Sequence, residues 1–112
     1  MTFKLIVAIV DRHRTRELLE AAREAGATGS TVITGVRGQG RRRSIGIFGL
    51  EINDIRDVLL FVVDAQSARS VLERLAEVGE FDETPGTGIA LQLDVADALG
   101  VRRGLPNVGD EL

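Results

Sequence analysis

Cysteine, tyrosine and tryptophan are all missing from this chain of 112 residues, and histidine occurs once, as His13. Without cysteine there is no disulfide, no thiolate metal site and no cysteine nucleophile. One histidine excludes a multi-histidine metal centre within a single chain. The aromatics are four phenylalanines, too few for the stacking platforms that hold single-stranded nucleic acid. No charge of one sign dominates. The 14 basic and 17 acidic residues leave a net charge of −3, which argues against a protein built to coat nucleic acid. Long apolar runs are also absent. Residues 5–10 form an apolar run of six, far short of the ~20 that span a bilayer and shorter than a signal peptide requires. These absences predict a soluble, cytoplasmic protein with no nucleic-acid partner and no direct membrane insertion. What is present is a hydrophobic fraction of 44%, enough for one ordinary core. The length predicts a single domain over residues 1–112.

The chain repeats itself at an offset of 53 residues. Ile9-Val10-Asp11 returns as Val62-Val63-Asp64, Leu18-Leu19-Glu20 as Val71-Leu72-Glu73, and Glu24-Ala25-Gly26 as Glu77-Val78-Gly79. Residues 5–10 and 58–63 are short, aliphatic and β-branched, which suits buried strands. Thr15, Leu18, Leu19, Ala22 and Ala25 follow one helical face, as do Ala68, Val71, Leu72, Leu75 and Val78. Gly26 and Gly79 are expected to stop these helices in the left-handed conformation. Asp11 and Asp64 stand where a helix would be capped. Further strands are expected over 30–36 and 88–95. Two β-α-β units in this length predict an α+β fold, the ferredoxin-like βαββαβ sandwich with an antiparallel four-stranded sheet. Val7, Ile9, Leu60 and Val62 alternate with Ile6, Ala8, Val10, Leu59, Phe61 and Val63, so both faces of the sheet are apolar. One takes the helices. The other predicts a closed homo-oligomer with its sheets facing inward.

This topology brings two unusual segments to one end of the sheet. The first runs Gly35-Val36-Arg37-Gly38-Gln39-Gly40-Arg41-Arg42-Arg43-Ser44 and continues to about Arg56. Gly38 and Gly40 let backbone N–H groups approach a ligand, and arginine forks fit phosphate or carboxylate. The same residues would suit a solvated hairpin arm. The spacing is neither a dinucleotide fingerprint nor a Walker loop. The second segment is Thr84-Pro85-Gly86-Thr87-Gly88, which reads as a helix-to-strand turn or as the other wall of an anion cleft. In an oligomer the two walls can come from adjacent subunits. His13 lies among Arg12, Arg14 and Arg16 with no nucleophile paired to it, so it reads as an exposed residue at the start of a helix. Glu80, Asp82 and Glu83 read as a solvated turn. No catalytic residue and no metal ligand set emerges.

The sequence resembles the PII family of nitrogen regulatory signal-transduction proteins over roughly residues 4–101. The resemblance rests on the strand-helix-Gly opening that runs into Gly26-Ala27-Thr28-Gly29-Ser30-Thr31-Val32. It rests also on Val36-Arg37-Gly38-Gln39-Gly40-Arg41, which looks like the Lys-Gly-x-Gly-Arg at the base of the family's T-loop. Pro85-Gly86-Thr87-Gly88 is similar to its B-loop. The resemblance implies a homotrimer that binds ATP or ADP in intersubunit clefts and, with ATP and Mg²⁺, 2-oxoglutarate. It implies a regulator rather than an enzyme, controlling a transporter or enzyme through a mobile T-loop-like segment at about 37–56, with a C-terminal tail at about 101–112. Carried over by residue, Ile9 and Thr31 would line the adenine pocket. The backbone at Gly38, Gly40, Gly86 and Gly88, beside Gln39 and Thr87, would approach the phosphates, with Arg41 and Arg102 adding charge.

The departures are specific. The T-loop tyrosine is absent. Ile89 stands where the family has a phosphate-binding lysine. Gly100 replaces the first tail arginine, and Arg42 replaces a glutamine. These changes predict weaker nucleotide binding, poor discrimination between ATP and ADP, and competition by AMP or a cyclic nucleotide. The alternative is a trimeric adaptor or structural subunit that has lost nucleotide binding.

Overall fold

The structure is a computed structural model and describes residues 2–36 and 55–101. Strand β1 (Phe3–Asp11) passes through a short 3₁₀ turn (Arg12–Arg14) into helix α1 (Thr15–Glu24). Strand β2 (Thr31–Val36) follows, then β3 (Arg56–Asp64), helix α2 (Ala65–Gly79) and strand β4 (Gly88–Asp94). The strands form one sheet in the order β2-β3-β1-β4, every neighbouring pair antiparallel. This is the α+β, ferredoxin-like arrangement that the repeat predicts.

The alternation of the two central strands explains the layering. Ile6, Ala8 and Val10 of β1 and Leu59, Phe61 and Val63 of β3 are buried with Leu18 and Ala22 of α1 and Ala68, Val71 and Leu75 of α2. Burying a large aliphatic or aromatic side chain contributes about 1.5–3 kcal/mol, so this layer dominates the stability of the fold. The capping aspartates behave as their positions suggest. Asp11 Oδ1 accepts the His13 N–H at 2.9 Å and Asp64 Oδ1 accepts the Gln66 N–H at 3.0 Å. Arg14 then ties the two repeats together, its Nη2 donating to the Val78 carbonyl at 2.6 Å, where α2 exposes unsatisfied carbonyls and favours a cation.

The helix stops differ from each other. Gly26 takes a positive φ of 125°, as expected, but Gly79 does not. The left-handed residue after α2 is Glu80, at φ 56°. Gly79 is buried inside the last turn, and a Cβ there would overlap the ring of Phe81. Its smallness makes room for the ring instead of turning the chain.

The opposite face of the sheet is apolar across its central strands. Across the rows, Val7 pairs with Leu60 and Leu91, and Ile9 with Val58 and Ile89, while Val58 also faces Ile33. Ile33 and Leu93 remain 47% and 45% exposed. Among the described residues no helix is long and apolar enough to cross a membrane.

Candidate functional site

Antiparallel pairing places the end of β2, the start of β3, the end of β1 and the start of β4 at one end of the sheet. There Val36 pairs with Arg56, Arg56 with Asp11, and Val10 with Gly88. Arg56 organises this end. It is 7% exposed, and its Nη1 reaches past β1 to donate to the Gly86 carbonyl at 3.0 Å. Its Nε is buried without a hydrogen-bond partner among the described residues. An unpartnered guanidinium N–H costs free energy in the free protein. It therefore marks a place where an anionic acceptor would be stabilised.

The turn carrying Gly86, Thr87 and Gly88 is built from its own contacts. Thr84 N–H donates to the Glu80 carbonyl at 3.0 Å. The Thr87 hydroxyl lies 3.0 Å from the Thr84 carbonyl and 3.1 Å from the Glu80 carbonyl. The Thr87 N–H also points back to Thr84, at 3.4 Å. Thr87 thus uses its donors within the turn. Gly86 has a φ of 83° with open space where a side chain would stand, so its constraint is conformational. Gly88 is constrained by volume, since a Cβ would lie 2.5 Å from the Phe81 ring.

A second feature lies toward the other end of the apolar face. A cavity of about 420 Å³ is lined by Leu5, Leu60 and Val62, by residues 28–31, and by Gly100 and Val101. Of the residues nominated from sequence, Thr31 lines this cavity. Ile9 sits instead on the same face opposite Ile89, one residue from the Val10–Gly88 pair. Thr31 and Gly88 belong to opposite edge strands. Three strand spacings of about 4.8 Å separate those edges, roughly 14 Å. One protomer therefore brings Ile9, Gly86, Thr87 and Gly88 together and leaves Thr31 apart. Gly38, Gln39, Gly40, Arg41 and Arg102 lie outside the described residues. Arg56 and the cavity walls Leu5, Leu60 and Val62 are additions that the sequence alone did not nominate. An arginine at the first position of an otherwise largely aliphatic strand is the signal that could have found the former.

No group of three or more metal-ligating side chains occurs among the described residues. His13 is exposed.

The family profile for nitrogen regulatory protein P-II matches residues 3–105. The chain belongs to the P-II family. Among solved structures, a PII-like signaling protein from Thermus thermophilus is 26% identical with a TM-score of 0.62, over 85% of this chain and 88% of its own. CPII from Thiomonas intermedia, in a structure bound to ADP, AMP and acetate, superposes with a TM-score of 0.68 at 15% identity, over 90% of this chain and 93% of its own. At that identity the likeness is one of fold. No curated protein matches the chain by sequence.

Proposed function

We propose that this chain is a PII-like signal-transduction regulator, working as a homotrimer that binds an adenine nucleotide in clefts between subunits. The observation that carries this reading is the buried Arg56, anchored on the Gly86 carbonyl with its Nε unpartnered among the described residues. It supplies a fixed cation at the loop end, where Ile89 offers none. The separation of Thr31 from Gly88 supports a shared cleft. Packing copies through the apolar faces would set the Gly86–Gly88 turn of one against the cavity of the next. Thr31, Leu60 and Val62 would then hold the base, and the backbone at Gly38, Gly40, Gly86 and Gly88, with Arg41, Arg56 and Arg102, the phosphates. CPII, which shares this fold, is seen with ADP and AMP. In this reading residues 1–112 act as one domain, and the signal leaves through the segment at 37–56 to a regulated transporter or enzyme.

Calorimetric titration of ATP, ADP and AMP tests this. Each charge-assisted contact is worth about 1.5–3 kcal/mol, or roughly ten- to a hundredfold in affinity. Arg56→Gln is expected to weaken ADP binding by about that factor. Ile89→Lys is expected to strengthen ATP more than AMP. Heat from no nucleotide in the wild-type protein would favour the adaptor reading.

A further inference from the structure

Asp57 is a buried carboxylate that the nucleotide reading does not use. It follows Arg56 on β3, points to the helix side of the sheet and is 6% exposed. Its Oδ2 accepts the Thr15 hydroxyl at 2.6 Å, tying it to the first residue of α1. Its Oδ1 faces the Gly35 N–H at 3.4 Å. Gly35 lies where β2 breaks register. Ile33 pairs with Val58 and Val36 with Arg56, so three steps along β2 match two along β3. That is a β-bulge, a device that re-aims a strand at its end. Gly35 occupies the left-handed region, at φ 72°, with nothing within 4 Å of a would-be Cβ. The glycine is needed for backbone conformation and not for space.

A buried carboxylate is costly unless it is hydrogen-bonded. Here two donors offset it, the Gly35 N–H in the bulge and the Thr15 hydroxyl at the start of α1. We propose that Asp57 is a positioning residue. Held by Thr15, its carboxylate clamps the bulge at Gly35 and so fixes the direction in which the chain leaves β2. The inference rests on the nucleotide reading for its consequence in ligand binding, and on this geometry alone for the clamp. Because Arg56 and Asp57 are consecutive on one strand and on opposite faces, the same two residues place the Gly86 turn and the β2 exit relative to each other.

The test pairs disruptive with conservative variants in the full chain. Thr15→Val and Asp57→Ala break the clamp, whereas Thr15→Ser keeps the hydroxyl. Gly35→Val cannot adopt the left-handed conformation, whereas Gly35→Asn can. Amide exchange at residues 33–36 is expected to quicken about tenfold in Thr15→Val, Asp57→Ala and Gly35→Val, the effect of losing one buried hydrogen bond. It should stay near wild type in Thr15→Ser and Gly35→Asn. Unchanged exchange in β1 and α2 verifies that each variant is folded. ADP affinity is expected to fall about tenfold in the same three variants and to recover in the conservative two. If exchange at 33–36 is unmoved in folded Thr15→Val and Gly35→Val, the clamp is overturned, even where Asp57→Ala fails to fold. Quickened exchange with undiminished ADP affinity overturns the positioning role. If wild type binds no ADP, the nucleotide reading fails, and the exchange pattern alone still decides the clamp.

Discussion

Arg56 and Asp57 show how two neighbouring residues with opposite charges can be buried without pairing to each other. Strand alternation sends them to opposite faces, and each makes its hydrogen bonds with a different part of the chain. At the far end of the sheet a charged pair behaves in the ordinary way. Lys4 Nζ donates to Asp94 Oδ1 at 2.5 Å, and this contact holds the Asp94 carboxyl below its ordinary value of 3.8. A depressed folded-state pKa means that the unfolded chain binds the proton more readily. The stabilisation is present above the unfolded-state pKa and is lost as pH falls through the folded one. The window therefore lies below about pH 4. Asp94 is fully exposed, so the effect on stability is small and is best read on the carboxyl itself. In a carbon-detected NMR titration, Asp94 is expected to titrate below its ordinary value of 3.8. Lys4→Gln should raise it toward that value. An Asp94 midpoint unmoved by that substitution would contradict the pairing.

Among the elements, the end of α2 holds a correctable strain. Glu80 is the one non-glycine with positive φ among the described residues. The left-handed conformation costs an L-residue about 1–2 kcal/mol. Glycine recovers this but loses about 0.5–1 kcal/mol in unfolded-chain entropy. Glu80→Gly is therefore expected to raise stability by about 0.5–1 kcal/mol, seen as a thermal midpoint a few degrees higher. A lower midpoint would mean that the 3.4 Å contact from Thr84 to the Glu80 side chain matters more than the backbone strain. This position also marks where sequence reading stops. The strands and helices are legible because their periodicity is local: β-branched alternation for β1 and β3, and one apolar stripe each for α1 and α2. Glu80 is not legible, because the glycine before it serves Phe81. Arg56 and Asp57 are not legible as buried residues either, since their partners, Gly86, Thr15 and Gly35, are distant in sequence. The bulge leaves only a faint trace, a glycine near the end of a strand.

At the scale of the whole molecule, the apolar outer face is the surface on which copies are expected to pack. Leu5, Val7 and Ile9, with Val58, Leu60 and Val62, pave its centre, and Ile33 and Leu93 extend it toward the edges. A face of this kind on a 12.1 kDa chain is expected to be covered by further copies. Sedimentation at micromolar concentration should give a single species of three chains. Leu60→Glu, which puts a charge at the middle of the face, should dissociate it. A wild-type protein that stays monomeric under these conditions would remove the shared cleft, and with it the pairing of Thr31 with the Gly86–Gly88 turn.

The ring of Phe81 fills the volume that side chains at both Gly79 and Gly88 would otherwise take. Three positions, one ending α2, one in the turn and one opening β4, are therefore a single steric unit. Alanine at either glycine is tolerated only if residue 81 becomes smaller, and a smaller residue 81 leaves a void unless a glycine grows. Gly88→Ala and Phe81→Leu are each expected to destabilise the fold. Their combination should cost less than the sum of the two, as measured by a double-mutant cycle in denaturant. The turn that leads into the proposed phosphate site can thus change its sequence only by compensated steps, since substitutions tried singly meet a barrier that the pair avoids.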